Sequence, residues 1–535
     1  MTVENTNIAE TINITTNGQY DVARYTTANV NTPAAPDYYI SKAKDANNKL
    51  VSGSTIIDLT GITDLGAHVL ESAYYSNMNI SGNIDLSSIT KISGDYALNS
   101  AFYSCGYITG VDLSNLEEVT ATRSAVQECF HYCTGITGII NLGKLKKATQ
   151  QAFNNAFNGC TGITGVNLSS LEIVGNSSFS SAFQGCTGIT GTIDLSKIVD
   201  ISTSSSALSS MFNGCKNITA INLSGLKTIY NSQSALQSVG YGTHTSLESI
   251  NLSNLYSVYS SQSALQYFFA GSDVLTSFTF NKLVKLQGNS ILSSAFYNCS
   301  ALETLSFPNL CYSSDLNTGQ FQSMLNGCIG VTVHFPAELE SLMQNWASVT
   351  SGFGGTNTTV LFDLPSITTL DLSNITEVKS NSQLRYAFSY LPNITSVDLS
   401  GLTSVDGDYS CSFMFSNNTN MTSINISGLK EIKATESFDR AFENTKLTSI
   451  TFNSLETING SRTMVQAFRG CTQLTSVSFP ALKTISSNIV FSSMLSGCSN
   501  VTVHFPSNFT PPAVIDAGLL QGTNTTVLYD LPATA

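Results

Sequence analysis

The stretch Val166-Asn-Leu-Ser-Ser-Leu-Glu-Ile-Val174, followed by Ala182-Phe-Gln-Gly-Cys-Thr-Gly-Ile189, decides the fold of this chain. Its first three residues alternate apolar, polar and apolar, which predicts a strand with Val166 and Leu168 pointing inward. The apolar pair that follows at a spacing of three predicts a corner. The Ala-Phe-x-x-Cys phrase predicts a short helical or 3-10 turn, which is too brief to be stable alone and depends on burial of Phe183.

This pattern recurs along the chain at intervals of 26 to 29 residues. The Leu, Ile or Phe that follows the polar residue of each strand marks the repeats: Leu59, Leu86, Leu113, Leu142, Leu168, Leu195, Leu223, Leu252, Phe280, Phe307 and Phe335, then Leu372, Leu399, Ile426, Phe452, Phe479 and Phe505. No single repeat can bury its own apolar edge, so neighbouring repeats must stack. The sequence therefore predicts a repeat solenoid instead of several separate globular cores.

The motif resembles the BspA-like leucine-rich repeat, whose hallmark is Ala-Phe-x-x-Cys followed by Leu-Thr-x-Ile. It appears as Ala101-Phe102 with Cys105, Ala156-Phe157 with Cys160, Ala295-Phe296 with Cys299, and Ala467-Phe468 with Cys471. The resemblance covers roughly residues 55 to 530. It implies a right-handed, β-rich coil with short helical or 3-10 turns, which serves binding or adhesion.

The repeats fall into two arrays that end with nearly the same phrase. Thr356–Pro365 reads TNTTVLFDLP and Thr523–Pro532 reads TNTTVLYDLP. We therefore expect a first array over residues 51–365 with its capping segment, and a second array over residues 366–535 with a C-terminal cap, the two being stacked. Before the first closing phrase, apolar residues at helical spacing from Pro336 to Trp346 predict a capping helix.

Residues 1–50 lack the repeat and alternate around Asn17-Gly18, which favours a hairpin and predicts a small N-terminal β module. This phrase resembles the small module that precedes repeat or fibre regions in structural proteins of tailed phages. Two interpretations stay open, a docking element onto a larger assembly or a cap for the solenoid. The first residues have neither a basic nor an apolar segment, so no secretory signal peptide is expected.

Composition excludes two classes of partner. The net charge is −13 and the pI is near 4.8, so the chain lacks the basic surface that contacts with nucleic acid need. No stretch is long and apolar enough for a membrane span. Only 11% of the residues are charged, and the surface is predicted to be rich in hydroxyl and amide groups, which suits a particle or an extracellular element.

The sequence predicts no catalytic residue and no metal site. Nine of the 12 cysteines share one repeat position, which other repeats fill with Ser272, Leu391, Asn418 or Thr445, so packed free thiols are favoured over disulfides. The five histidines are scattered singly, and no nucleophile or zinc spacing accompanies them. A glycan-cleaving enzyme would need paired acids in one cleft, whereas the acids here recur by repeat.

The candidate binding residues are those that end each strand and point outward, which we name the outward ladder. Its members are Asp85, Asp112, Asn141, Asn167, Asp194, Asn222, Asn251, Asp371, Asp398 and Asn425. Carboxylates about 4.8 Å apart repel one another, and either interleaved amides or a bound cation would relieve this repulsion. Three interpretations of the ladder stay open. The ladder is a solvated face with amide ladders, a surface that binds sugar hydroxyls, or a set of oxygen ligands for Ca²⁺, although no cofactor is required.

Two functional hypotheses follow for a non-enzymatic protein. The first is a fibre or decoration protein of a virion, attached to other virion proteins through residues 1–50 and binding a glycan or protein of the bacterial surface. The alternative is a BspA-like adhesin that is extracellular or on a bacterial cell surface. The sequence leaves the receptor, the binding face and the oligomeric state open, including a homo-oligomer.

Overall fold

A computed structural model describes residues 62–534, apart from residues 79, 203, 243–245, 314–315 and 345–351. The proposed N-terminal module, His244 and Trp346 lie outside the described residues. The described chain winds as a parallel β-solenoid of about 17 turns with almost no helix, which confirms the predicted repeat solenoid. We call each turn of the solenoid a coil.

Each coil begins with a ladder strand, which carries the outward ladder. The ladder strands are Gly82–Asp85, Ile108–Asp112, Gly138–Asn141, Ile163–Asn167, Thr190–Asp194, Asn217–Asn222, Ser249–Asn251, Ser277–Thr279, Thr304–Ser306, Thr332–Pro336 and Thr359–Leu364, then Thr369–Asp371, Ser396–Asp398, Ser423–Asn425, Ser449–Thr451, Ser476–Ser478, Thr502–Pro506 and Thr526–Leu531. Residues at the same repeat position face one another across neighbouring strands, as Ile221 faces Ile250.

A second, shorter strand follows the corner of most coils, and we name this set the flank strands. They are Asp64–Leu65, Lys91–Ile92, Glu118–Val119, Lys147–Ala148, Ile173–Val174, Asp200–Ser202, Thr228–Tyr230, Ser257–Gln262 and Lys285–Asn289, then Glu377–Val378, Ser404–Val405, Glu431–Ile432, Thr457–Ile458 and Thr484–Ile485. They pair in parallel, as Thr228–Tyr230 does with Ser257–Tyr259.

The third side of the coil differs from the predicted helical turn. In most coils it is a ribbon of overlapping β-turns, in which alternate amides bond to the next coil. Leu98 N donates to Ala125 O at 2.7 Å, whereas Ala101 N closes a local turn onto Leu98 O at 3.1 Å. Every fourth residue has a positive φ, as at Ser100 and Ser104 (52° and 56°). Among the described residues, 3-10 turns replace part of this ribbon at Thr318–Phe321 and Asn488–Phe491.

The interior of each array contains a column of stacked aromatic rings, which in the first array is interrupted at Gly240. Phe102, Phe130, Phe157 and Phe183 stack with ring centroids 5.3 Å apart from one coil to the next. Phe468 holds the equivalent buried position in the second array and stacks on Phe442 at 5.2 Å. Burying a large aromatic side chain stabilises by roughly 1.5–3 kcal/mol relative to exposure, so this column is the main reason why the coils stack.

Both arrays end with a cap. In the first, the 3-10 turn Ala337–Leu339 leads into the short helix Glu340–Gln344, and Leu339 and Met343 are fully buried. This confirms the predicted capping helix for the described part of that segment. In the second array, the helix Ala517–Leu520 occupies the corresponding place before the closing strand, and Asp516 caps its first turn.

The second array packs against the flank strands of the first array. Tyr256, Val284 and Cys311 of the first array belong to the hydrophobic core of the second. Polar contacts fix this orientation: Thr228 Oγ1 donates to Gln383 O at 2.8 Å, Ser380 Oγ donates to Asp200 Oδ1 at 2.9 Å, and Tyr256 OH donates to Asn374 Oδ1 at 2.6 Å. The first coil of the second array is thereby covered by the side of the first array.

Candidate ligand-binding surface

The outward ladder forms as predicted, but each of its side chains also shapes its own backbone. In all ten members, Oδ1 accepts the backbone N–H of the residue two positions later, at 2.9 to 3.2 Å. This is an Asx turn, which ends the strand and starts the corner. One carboxylate or amide oxygen per coil is therefore committed to structure, while the rest of the side chain faces solvent.

Amide groups relieve charge repulsion between neighbouring coils. Asn167 Nδ2 donates to Asn141 Oδ1 at 3.1 Å, and Asn222 Nδ2 donates to Asp194 Oδ1 at 3.2 Å. Asn425 Nδ2 donates to an oxygen of the preceding aspartate in the second array, also at 3.2 Å. These bonds confirm the predicted amide ladder along parts of both arrays.

Two places in the ladder set one carboxylate directly beside another. Asp85 is paired in register with Asp112, and Asp371 with Asp398. Ca²⁺ needs six to eight oxygen ligands. The described residues contain no group of three or more His, Cys, Asp or Glu side chains that could hold a metal ion. The arrangement does not fit a calcium site, and we derive no role for a metal.

The ladder face of the second array carries a groove of about 450 Å³. Small hydroxyl side chains line one side, at Thr369, Ser396 and Ser423, and Asp371, Asp398 and Asn425 line the other. The strand floor is apolar and mostly buried at Leu370 and Val397. Sequence reasoning singled out one side of this groove. The hydroxyl side was missed, although in the second array a hydroxyl residue stands two positions before each of the three ladder residues.

Asp371 stands at the end of this groove that is nearest to the first array. The hydroxyl and backbone N–H of Ser373, at 2.6 and 3.0 Å, together with the positive charge of Lys282, hold the pKa of Asp371 below its ordinary value. The carboxylate is therefore charged at neutral pH. It can accept hydrogen bonds from a ligand through the oxygen that the Asx turn leaves free.

An exposed aromatic cluster lies in the first coils of the first array and was also missed. Tyr75 and Tyr103 stack with centroids 4.6 Å apart, and Tyr107 and Tyr132 are exposed beside them. His131 packs against Tyr103 and Tyr132, and its ring nitrogens are buried without a hydrogen-bond partner among the described residues. Burial lowers the pKa of His131, which therefore stays neutral in this cluster.

The two equivalent histidines of the closing strands do not converge on one site. His334 Nδ1 lies 3.0 Å from the carboxylate of Asp363, and His504 Nδ1 lies 2.9 Å from that of Asp530. Each pair joins the last two strands of its array. The prediction that they are surface residues of strands is confirmed, and their structural partner is an aspartate of the closing phrase.

The cysteines are all free and buried, which confirms the packed-thiol prediction. Each thiol of the repeat position donates to the carbonyl of the residue at the Phe position one coil earlier, as Cys186 Sγ does to Phe157 O at 3.1 Å. Asn418 Nδ2 makes the equivalent bond to Phe388 O at 2.9 Å, whereas Ser272 Oγ donates to a different carbonyl of the preceding coil, that of Leu247, at 2.7 Å. Burial raises the pKa of the Cys186 thiol to about 12, so it is unreactive at neutral pH.

Within the described part of the chain, no helix is both long and apolar enough to cross a membrane. Comparison with solved structures gives a leucine-rich repeat protein from Bacteroides ovatus, with 15% identity, 93% of this chain and 97% of that chain covered, and a TM-score of 0.31. A leucine-rich cell surface protein from Faecalibacterium prausnitzii matches with 14% identity over 96% and 94% of the two chains, with a TM-score of 0.22.

A search of curated proteins finds no match. The model of the BspA-type leucine-rich repeat region matches over residues 62–190, 128–238, 155–326, 366–463 and 439–511, which together span most of the described solenoid. The repeat spacing, the buried Phe column and the cysteine position all belong to the segments that this model matches. The chain is a member of the BspA-type leucine-rich repeat family.

Proposed function

We propose that this protein is a non-enzymatic binding protein of a bacterial surface, an adhesin of BspA type that holds a glycan or a protein along its ladder face. The observation that carries the proposal is the groove of the second array, where hydroxyl, carboxylate and amide side chains repeat at the spacing of the coils. A rigid row of short polar groups suits an extended ligand, because many weak contacts add up along it.

The electrostatics of the groove favour a ligand that donates hydrogen bonds. Asp371 and Asp398 present carboxylate oxygens, and Thr369 and Ser396 present hydroxyls that donate or accept. Sugar hydroxyls and peptide N–H groups both meet this need, whereas phosphate-rich ligands do not. The acidic net charge of the whole chain points in the same direction.

The virion hypothesis rests on residues 1–50 and on a likeness to phage modules, and neither the fold nor the family match supports it. Proteomic analysis of purified phage particles and of fractionated cell envelopes separates the two locations. Recovery in the envelope or at the cell surface agrees with the adhesin proposal. Recovery in particles alone contradicts it.

Binding itself is tested with the purified protein on a glycan array and on immobilised extracellular-matrix proteins. Ser423→Arg places a long cation in the groove, and we expect it to abolish the strongest signal of the wild type. Ser461→Arg is the matched control, because Ser461 is exposed in the turn ribbon away from the ladder face. A wild type that binds none of these ligands, or a control that loses binding equally, refutes the proposal.

A further inference from the structure

A second cleft, of about 220 Å³, lies where the first coil of the second array meets the flank of the first array. Its walls come from both arrays, with Glu172, Lys197 and Asp200 on one side and Glu377 and Lys379 on the other. It lies on the flank strands and is separate from the groove of the ladder face. Its volume is below the roughly 300–1,000 Å³ of pockets for drug-sized ligands, so it suits a smaller molecule.

The cleft is lined by charges of both signs. Most of these groups already have partners in the protein: Glu377 pairs with Lys379 at 2.7 Å, and Asp200 accepts the Ser380 hydroxyl at 2.9 Å. Lys227 donates to a backbone carbonyl of the second array at 2.7 Å. The contacts of Asp200 and Lys227 join the two arrays, whereas the Glu377–Lys379 pair lies within the second array.

Two charged side chains of the cleft are uncommitted. Among the described residues, Glu172 and Lys197 form no ion pair within 4 Å and no side-chain hydrogen bond, although Glu172 interacts electrostatically with Lys379 at longer range. Ile173 lies beside them and is 43% exposed. One free carboxylate, one free ammonium and one bare apolar side chain therefore face the same small space.

We propose that this cleft binds a zwitterionic amino acid or short peptide with an apolar side chain. The ligand ammonium pairs with Glu172, its carboxylate pairs with Lys197, and its side chain covers Ile173. A purely anionic ligand would meet the carboxylates of Glu172 and Glu377, and a hydrocarbon would bury charged groups without partners, which is costly. This site is independent of the ladder-face function, because the cleft and the groove share no lining residue.

The test is calorimetric titration of the full chain with leucine and with leucyl-glycine, which carry both charges, and with N-acetyl-leucinamide, which carries neither. We expect at least one zwitterion to bind about tenfold or more tightly than the neutral amide. Binding of leucine alone identifies a free amino acid as the ligand class, and binding of leucyl-glycine alone identifies a peptide.

Matched substitutions assign the binding to the cleft. Glu172→Gln and Lys197→Met should each weaken binding about tenfold, since each removes one charge-assisted hydrogen bond. Glu117→Gln and Lys144→Met are the controls, because they occupy the same repeat positions in earlier coils, outside the cleft. The proposal is wrong if neither zwitterion binds the wild type at millimolar concentration, if the neutral amide binds equally well, or if the cleft variants bind like their controls.

Discussion

At the scale of single residues, the cysteines of the shared repeat position show how far the sequence can be interpreted. The shared position of nine cysteines was enough to predict buried free thiols. The sequence did not reveal what Cys186 and Asn418 have in common, which is a side-chain donor to the carbonyl of the Phe position one coil earlier. That carbonyl belongs to a residue about 30 positions away, so the contact exists only after the coils have stacked.

The donor role predicts an order of stability among substitutions of Cys186. Cys186→Ala removes one of the two hydrogen bonds that the buried Phe157 carbonyl accepts, the other coming from Cys160 N–H at 3.1 Å, which should cost about 0.5–1.5 kcal/mol of unfolding free energy. Cys186→Ser keeps a donor at this position and should cost less than the alanine variant. Urea denaturation monitored by circular dichroism measures both variants, and equal losses would contradict the donor role.

The buried thiols also predict a loss of stability at high pH. Burial raises the pKa of Cys133 and Cys186 to about 12, whereas an unfolded thiol has a pKa near 9. Between these values the folded state holds more protons than the unfolded state, so stability is full below about pH 9 and falls as the pH rises towards 12. Tyr230 shifts in the same direction, so both residue types contribute.

Urea midpoints measured from pH 8 to pH 11 test this linkage. We expect a continuous decrease above about pH 9, together with no reaction of native protein with a thiol reagent at pH 7. Rapid labelling of the native protein at pH 7 would show that the thiols are accessible. A midpoint that is constant up to pH 11 would show that they do not ionise on unfolding.

The outward ladder was located correctly from the sequence because period-two alternation fixes which side chain leaves the strand. Its structural duty was not predicted, since an Asx turn depends on the φ and ψ angles of the corner. The groups of the groove that can contact a ligand therefore include the hydroxyl of Ser396 and, from Asp371, only the oxygen that the Asx turn leaves free.

At the scale of elements, the spacing of apolar residues predicted the coils, and the helical turn was predicted incorrectly for most of them. A helix bonds each amide within its own segment, whereas the ribbon gives alternate amides to the neighbouring coil. The signal was present as Ser at every fourth position, for example Ser177 and Ser181, which adopt φ of 51° and 54°. Such a φ is uncommon for residues other than glycine, so sequence propensity alone did not favour it.

Two glycines separate the cost of backbone conformation from the cost of crowding. Gly191 has φ 74° and open space where a Cβ would lie, so Gly191→Ala should cost only the left-handed conformation, about 1–2 kcal/mol. Gly288 has φ 129° and lies opposite a bulge of the neighbouring flank strand Ser257–Gln262, where a Cβ would collide with the Ser260 carbonyl oxygen. Gly288→Ala should therefore cost clearly more.

Thermal or urea unfolding of the two glycine variants provides the comparison. Far-ultraviolet circular dichroism first establishes that each variant is folded. Equal destabilisation of Gly191→Ala and Gly288→Ala would mean that the bulge relaxes and that crowding contributes nothing.

The His–Asp pair of the second closing strand should protect that strand from opening. His504 and Asp530 are partly exposed, with 24% and 45% side-chain accessibility, so we expect a contribution of about 1 kcal/mol or less to overall stability. Hydrogen exchange over residues 526–531 is more sensitive to local opening. Asp530→Asn should speed exchange in this strand and leave exchange in the closing strand of the first array, Thr359–Leu364, unchanged. Equal exchange rates in the variant and the wild type would show that the pair does not protect the strand.

At the scale of the whole molecule, the sequence predicted two arrays with little linker between them. It did not predict how the two arrays pack against each other. The contact surface combines apolar residues, such as Tyr256 and Val284, with flank positions that hold ordinary polar residues, such as Thr228 and Lys285. Their burial becomes visible only when the second array covers them. Lys147 occupies the same repeat position as Lys285 without being buried. A lysine at this position therefore gave no indication of the interface.

Lys285 is the strongest test of this interface. Its ammonium donates to Tyr386 O at 3.1 Å and to Ser389 Oγ at 2.9 Å, and the side chain is fully buried. Lys285→Ala removes these bonds and leaves a cavity, so we expect a loss of roughly 2–4 kcal/mol and looser packing of the arrays. Lys147→Ala should change stability by less than about 0.5 kcal/mol.

Small-angle X-ray scattering and urea denaturation of these two lysine variants measure the effect. A larger radius of gyration for Lys285→Ala than for Lys147→Ala supports a structural interface between the arrays. Identical scattering curves and midpoints would mean that the arrays are held by other contacts.

In the turn ribbon, each coil offers N–H donors to the coil that follows it and carbonyl acceptors to the coil that precedes it. Both arrays finish in an equivalent pair of closing strands. A gene with this architecture can gain or lose whole repeats by unequal recombination, and the new neighbours still offer donors opposite acceptors. The length of the solenoid can thus change by steps of one coil while the closing strands stay the same, which gives selection a means of adjusting how far the ladder face extends.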